Sequence, residues 1–365
     1  MYVTLGRLFI GGTSVWQIDR KFVKNKNQYL EEGDLLVSSA NSWNLVGKAS
    51  WIPLLNYESS FGGFVTVLRG NKKLIDRRYL YYWFVSDRIQ SLLRSFSNKT
   101  TNISNLSLSR AKELTIPLPP LAEQQRIAAL LDTADRILRL RESAIAKLDQ
   151  LAQSVFVEIF GDPVKNTKNF PIENIGELPI HIADGNYSSK YPSASEFVDS
   201  GIPFIRANNL KNLTLVNDDV RYITERKHIE LAKGHLKFRD VVIVTRGEIG
   251  KVGLVPKEFD DANMNAQLVL LRPNSSILLP EYLCHFFNNN YTKSYVKNFE
   301  TGVALKQLPI GNLKKIKICI PPIALQNKFA NIVKKIESQI EFQNNQKFII
   351  KSMLSSLQHQ SFAVN

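Results

Sequence analysis

The chain has 365 residues, 44% of them hydrophobic, and a formal net charge of +14. That length predicts two or three domains, each able to bury its own core. No apolar run reaches the roughly 18 residues a membrane span needs, the start Met1-Tyr2-Val3-Thr4-Leu5-Gly6-Arg7 lacks a signal-peptide core, and the only cysteines, Cys284 and Cys319, exclude a disulfide framework and make the cytoplasm the default compartment.

The charge is unevenly placed. Residues 1–117 carry 16 Lys and Arg against 8 Asp and Glu, residues 165–320 carry 21 against 16, and residues 121–160 carry 5 against 6. Basicity in the flanking modules and neutrality between them point to polyanion contact by the modules and a structural task for the segment joining them. A generally basic, Lys- and Asn-rich proteome gives a similar surplus, so charge alone does not decide.

The first module contains Gly33-Asp34-Leu35-Leu36-Val37-Ser38-Ser39-Ala40-Asn41-Ser42-Trp43-Asn44-Leu45-Val46-Gly47-Lys48, an apolar triplet leading into a polar, glycine-bounded stretch. Tyr79-Leu80-Tyr81-Tyr82-Trp83-Phe84 follows. Its aromatics fit either base stacking or a buried amphipathic helix, and core packing is the expectation.

After Pro119-Pro120, which cannot lie in a helix interior, Ile127, Leu131, Ala134, Leu138, Arg141, Ile145, Leu148, Ala152, Val155 and Ile159 step by 4 and 3. This is a heptad seam and predicts a coiled-coil helix of roughly 60 Å. Gly161-Asp162-Pro163 ends it.

The second module, residues 165–320, is read as mixed and strand-rich. Phe204-Ile205-Arg206-Ala207-Asn208-Asn209-Leu210-Lys211 joins a strand-like start to a stretch rich in amides, groups that match base edges in the major groove. Val241–Val244 and Leu268–Leu271 are predicted strands. Between them Thr245-Arg246-Gly247-Glu248-Ile249-Gly250-Lys251-Val252-Gly253 is a loop whose backbone can approach a ligand while two cations reach a charged surface. Asn263, Asn265 and Gln267 would share one face if extended.

The chain then repeats itself. Ile116-Pro-Leu-Pro-Pro-Leu-Ala122 reappears as Ile318-Cys-Ile-Pro-Pro-Ile-Ala324, 202 residues on. Asp34 corresponds to Asp240, Gly47-Lys48 to Gly250-Lys251, and Tyr79–Phe84 to Tyr282–Phe287. Shifted by 202, the seam lands on Phe329, Val333, Ile336, Ile340, Gln343, Lys347, Ile350, Leu354, Leu357 and Ser361, with a polar middle opposite Arg141. A period this long means two copies of a whole module, not a solenoid. The two helices either pair antiparallel, bringing their polar levels together, or each packs on its own module; pairing is the reading adopted, because neither seam finds another partner.

His181, His228, His235, His285 and His359 show no metal-ligand spacing, and no phosphate-binding loop, nucleophile elbow or Asn-Pro-Pro-aromatic motif is present. Lys257, Glu258, Asp260 and Asp261 read as a surface acidic turn in preference to a nuclease site. A self-sufficient nuclease or methyltransferase is therefore disfavoured, and recognition without chemistry is expected.

Ile116–Ala129, Ala146–Ser154, Phe160-Gly-Asp-Pro163 and the Thr245–Gly253 loop together resemble the specificity (S) subunits of type I restriction–modification systems. The resemblance covers nearly the whole chain, most strongly from about Glu31. It implies an α+β fold: a target-recognition domain at 1–117, a spacer helix at 118–160, a second recognition domain at 161–320 and a second spacer helix at 321–365. It also implies double-stranded DNA read as a bipartite target, two methyltransferase (M) subunits docked on antiparallel helices, and restriction (R) subunits as further partners, without a membrane. Under it the chain itself has no catalytic residues, metal or cofactor; S-adenosylmethionine, ATP and Mg²⁺ belong to partners. DNA contacts implied are Arg206, Asn208, Asn209, Lys211, Thr245, Arg246 and Lys251 in the second domain. In the first they are Ser38, Ser39, Asn41, Asn44 and Lys48, with Trp43 as contact or core. The first domain lacks a counterpart of residues 165–203, so either Met1 is an internal start in a disrupted gene or the domain is naturally short. A truncated or silent S subunit, acting only as an interaction protein or recombination reservoir, is the alternative.

Overall fold

The computed structural model describes residues 2–9, 12–23, 25–99, 103–187 and 191–363. Two compact units emerge, Met1–Ala144 with Gln343–Asn365, and Ile145–Phe342. The division falls inside the two long helices and not at their ends, so each globular module keeps part of both. This differs from the expected separate spacers, and the cause lies in the cores.

In chain order the elements are β1 (Tyr2–Phe9), β2 (Gly12–Asp19), β3 (Leu35–Ser38), β4 (Ala40–Asn41), β5 (Ala49–Trp51), β6 (Ser59–Ser60), β7 (Val65–Leu68), α1 (Arg77–Phe84), α2 (Asp87–Ser95), β8 (Ser97–Lys99), β9 (Ser104–Leu106), α3 (Leu108–Lys112) and α4 (Leu121–Phe160). Three small sheets run β2-β1-β6, β5-β3-β7 and β4-β9-β8. Asp76 caps α1 by accepting from the backbone amides of Arg78 and Tyr79. One face of α1 buries Tyr79, Leu80, Tyr82, Trp83 and Phe84. That stripe packs with Leu35 and Val37 of β3, Leu93 of α2 and Ile127 and Leu131 of α4. The aromatics are core, as expected.

The second unit continues with β10 (Ile172–Asn174), β11 (Ile180–Asp184), β12 (Phe197–Val198), β13 (Ile202–Ile205), β14 (Leu210–Lys211), β15 (Thr214–Leu215), β16 (Arg221–Ile223), α5 (Glu225–Glu230), β17 (Val241–Val244), β18 (Val252–Leu254), β19 (Asn263–Met264), β20 (Leu268–Pro273), α6 (Pro280–Asn288), α7 (Asn290–Val296), α8 (Ile310–Leu313), β21 (Lys317–Cys319) and α9 (Ile323–Phe362). A six-stranded sheet, β11-β20-β17-β18-β15-β14, is joined by a four-stranded one, β12-β16-β13-β19, and the pair β10-β21. Strand β17 is apolar at every position and β20 from Leu268 to Leu271, because both faces are covered there. Val241, Ile243, Val269 and Leu271 enter a core with α6, Phe156, Phe160 and Phe329. Val242, Val244, Leu268 and Leu270 enter another with Leu210, Leu236 and Met264.

Every residue of both predicted seams is at least partly buried. In the first unit Arg141 Nη1 donates to Gln343 Oε1 at 2.6 Å, and Lys347 pairs with Glu142 at 2.8 Å. Ile127 and Leu131 share a core with Leu354, Leu357 and Phe362. Ascending numbers in α4 meet descending numbers in α9, so the helices run antiparallel there, with the polar levels facing each other. The same helices also close the module cores, so both packings weighed from sequence occur together. In the second unit the buried face of α4 moves one residue beyond the seam, from Val155 and Ile159 to Phe156 and Phe160, which pack around Tyr282 and Phe329, Phe156 stacked on Tyr282 and the other pairs edge-on.

The repeat extends to individual hydrogen bonds. Arg69 donates from Nε and Nη2 to the two carboxylate oxygens of Asp34 at 2.8 and 2.7 Å. Arg272 does the same to Asp240, at 2.7 Å for both. Gln124 accepts from the Asp76 amide and donates to the Leu74 and Pro119 carbonyls. Gln326 accepts from Leu279 and donates to Ile277 and Pro321. Tyr79 donates to the Pro117 carbonyl at 3.0 Å, and Tyr282 to that of Cys319 at 2.9 Å. Each module thus fastens its first central strand, its buried helix and its long helix by the same three devices. Burial pushes the Tyr79 hydroxyl up to about 12.

Candidate nucleic-acid interface

The loop Thr245–Lys251 leaves β17 and re-enters at β18. Gly247 and Gly250 take φ +87° and +83°, and open space surrounds both Cβ positions. Glycine is needed there for the left-handed backbone, not for room. Thr245 is buried, its hydroxyl donating to the Gln267 carbonyl at 3.1 Å, which makes it a fastener at the loop base. Arg246 is exposed, with its guanidinium 4.9 Å from the Tyr187 ring centroid. Its backbone bridges to Gln307, placing the exposed apolar residues Val303 and Leu305 on an adjacent loop. Lys251 is paired to Glu248 at 2.7 Å.

The 206–211 segment turns inward on itself. Arg206 Nη2 bonds the Asp219 carboxylate at 2.9 Å, Asn208 donates to the same carboxylate at 3.1 Å, and Lys211 pairs with Asp218. Asn209 is fully buried, accepting from the Arg206 amide and donating to the Asp218 carbonyl. It builds the turn, and both ends of its amide are used. Asn208 and Lys211 are exposed, and Arg206 is partly so.

The expected common face of Asn263, Asn265 and Gln267 does not form. The strand stops at Met264 because the Leu268 amide bonds back to the Asn265 carbonyl at 3.1 Å, a turn. Asn263 is buried against His228, and Asn265 donates to Gln267.

In the first module Ser38 hydrogen-bonds through its backbone to both Gly47 and Lys48 at 2.8 Å, and the Ser39 amide bonds Phe64. Asn41 donates to the Ser38 hydroxyl at 3.2 Å, and Asn44 accepts from Ser42 at 2.7 Å. Lys48 is half-buried and Asn44 exposed. Trp43 is 50% exposed, so it is surface and not core.

Sequence reasoning missed the counter-charges. Asp218 and Asp219 lie seven to thirteen residues from the cations they hold, with no periodic signal. It also missed Arg69 and Arg272, although each directly follows a leucine that ends a largely apolar run, and they answer to each other under the 202-residue shift within one position. Among the described residues, no helix is long and apolar enough to cross a membrane.

The chain matches the model of the type I restriction modification DNA specificity domain over residues 9–150 and 166–351. It is 24% identical over 343 residues to the type I restriction enzyme MjaVIII specificity subunit of Methanocaldococcus jannaschii, covering 90% of this chain and 79% of that one. It is 25% identical over 335 residues to the EcoKI specificity subunit of Escherichia coli, covering 88% and 70%. The fold is similar to that of the type I restriction–modification S subunit from M. genitalium, with TM-score 0.57 at 18% identity over 94% of this chain and 87% of that one. A structure from work on complex assembly of the type I system gives TM-score 0.53 at 19% identity over 99% and 91%. With the matched segments spanning both modules and most of both long helices, the chain belongs to the type I restriction–modification DNA specificity family.

Proposed function

We propose that the chain reads a bipartite double-stranded DNA target, one half-site per module, and carries two methyltransferase subunits on its long helices, with restriction subunits as further partners. It works in the cytoplasm and catalyses nothing itself; S-adenosylmethionine, ATP and Mg²⁺ are bound by the partners. The observation that carries this reading is the frame built twice, Asp–Arg clamp, glutamine staple and tyrosine latch, each presenting a different loop set. A repeated frame with unlike loops suits two readers of unlike half-sites. Arg246, with its stacked guanidinium and exposed position, is the leading base or phosphate contact in the second module. Arg206, Asn208 and Lys211 reach DNA by exchanging Asp218 and Asp219 for phosphates.

The test is methylation by the reconstituted complex. A split motif with a fixed gap is expected, and one contiguous short motif would refute the reading. A second reading, a silent subunit acting only through its partners, is favoured by the first module's lack, among the described residues, of a sheet larger than three strands, against sheets of six, four and two in the second. Co-purification with methyltransferase subunits without sequence-specific duplex binding would select it.

A further inference from the structure

The histidines carry no ligand spacing in sequence, yet the fold of the second module gathers two of them around one carboxylate. His228 lies in α5, whose start is capped by Thr224. His235 stands opposite Asn263 as an antiparallel bridge. Around it the Leu236 amide bonds Ala262, the Asp261 amide bonds Leu236, and the Met264 amide bonds Gly234. This pairing returns Asp261, 26 residues further on, to the side of both rings.

The orientation of the rings is the informative feature. His228 Nδ1 lies 2.5 Å from Asn263 Oδ1, and His235 Nε2 lies 2.5 Å from the Leu231 carbonyl. Both partners are oxygens that only accept, so those two ring nitrogens carry the protons. In the neutral imidazoles the other nitrogens, His228 Nε2 and His235 Nδ1, hold lone pairs. Those are the atoms that face Asp261, at 3.4 Å from Oδ2 and 3.8 Å from Oδ1. Three acceptors therefore converge within 4.8 Å of one another. A histidine whose far N–H is tied to a carbonyl, freeing the near nitrogen, is the arrangement of metal-ligating imidazoles. Asn263, fully buried, spends its oxygen on the His228 ring while its own amide nitrogen has no partner, so that side chain is placed for the ring and not for itself.

We propose that His228 Nε2, His235 Nδ1 and the Asp261 carboxylate bind a divalent transition-metal ion of the zinc type, with water completing the shell. Two imidazoles and one carboxylate suit zinc at bond lengths of about 2.0–2.2 Å. Tetrahedral ligand atoms then sit roughly 3.3 Å apart, close to the separations from Asp261. The remaining closure falls on groups free to move, since Asp261 is 71% and His235 35% exposed. The ion ties α5, the 233–236 segment and the turn before β19 together. β19 pairs with β13, the strand that leads into Arg206 and Asn208, so the ion braces the base of that recognition segment. This site adds to the DNA-reading role and does not depend on it.

The experiment uses the full chain, stripped with chelator, dialysed and titrated with Zn²⁺ alone. About one zinc per chain should be retained, and zinc at a hundredfold excess over its Kd should raise Tm by on the order of 5 °C. Asp261→Gly keeps the backbone, because Asp261 sits at φ +66° where glycine is at ease. That variant and His235→Ala should each weaken zinc at least tenfold and abolish the Tm rise, while His359→Ala, an exposed histidine of the first unit, should change neither. Absence of bound zinc in the parent chain, or equal zinc affinity in Asp261→Gly, overturns the site and leaves two hydrogen-bonded histidines.

Discussion

Replacing Arg272 by alanine leaves the Asp240 carboxylate, 1% exposed, without its cation. Two charge-assisted bonds to Asp240 disappear, both at 2.7 Å, each worth about 1.5–3 kcal/mol, together with a longer one to the His235 carbonyl at 3.2 Å. One donor remains, the Lys237 amide at 2.8 Å, and the Arg272 side chain is 30% exposed, so water reaches the vacated space. The lower half of that range applies, giving a loss of about 3 kcal/mol, within what breaking a buried pair costs. The duplicated clamp supplies an internal control. Asp34 keeps a second cation, since Arg77 lies 3.8 Å from it. Arg69→Ala should therefore cost only about 1–2 kcal/mol. Denaturant unfolding followed by a probe in each unit measures both. Equal losses for the two variants, or a loss below about 1 kcal/mol for Arg272→Ala, would refute the reasoning that burial and a spare cation set the difference.

Gln326→Ala strands one amide and two carbonyls and should cost about 2–4 kcal/mol by the same unfolding assay, as should Gln124→Ala. Arg141 bonds Gln343 while its Nε lacks a partner, so replacing both residues by leucine should stabilise the protein by about 1 kcal/mol, read as a raised denaturation midpoint. The Lys347 hydrogen bond holds the Glu142 carboxyl below its ordinary range. A carboxyl depressed on folding adds stability that is present above its unfolded pKa and lost as pH falls through the folded one. Lys347→Met should therefore flatten the loss of stability below about pH 4. Asp218→Asn with Asp219→Asn frees Arg206 and Lys211; non-specific duplex binding should tighten and its log–log salt slope steepen by about 1–2 units.

The frame was legible because it is periodic. The heptad seam, the strands Val241–Val244 and Leu268–Leu271 and the buried aromatic helices all follow from apolar spacing, which burial enforces over many residues. The shift to Phe156 and Phe160 was not legible, because the seam answers to the partner helix whereas those two answer to α6 and Phe329, which no local pattern announces. The interface was read less well for the same reason. Arg206 and Lys211 were recognised as cations, but what an exposed cation does depends on which carboxylate the fold brings near it. Asn209 and Thr245 look like reading groups by type and serve as turn fasteners by burial.

A chain that contains its own near-copy permits a comparison within one molecule. Under one shift of 202 to 206 residues, the groups that coincide are the clamp, the staple and the latch, all satisfied and all buried except the two arginines, which are partly exposed. The groups that do not coincide are the exposed ones: Trp43 and Asn44 have no equivalent in the Arg246 loop, and Arg246 none in the first module. The cost of an unmet buried polar group holds the first class fixed, whereas an exposed side chain changes at almost no cost in stability. Such a division lets each module alter what it touches without altering how it is held.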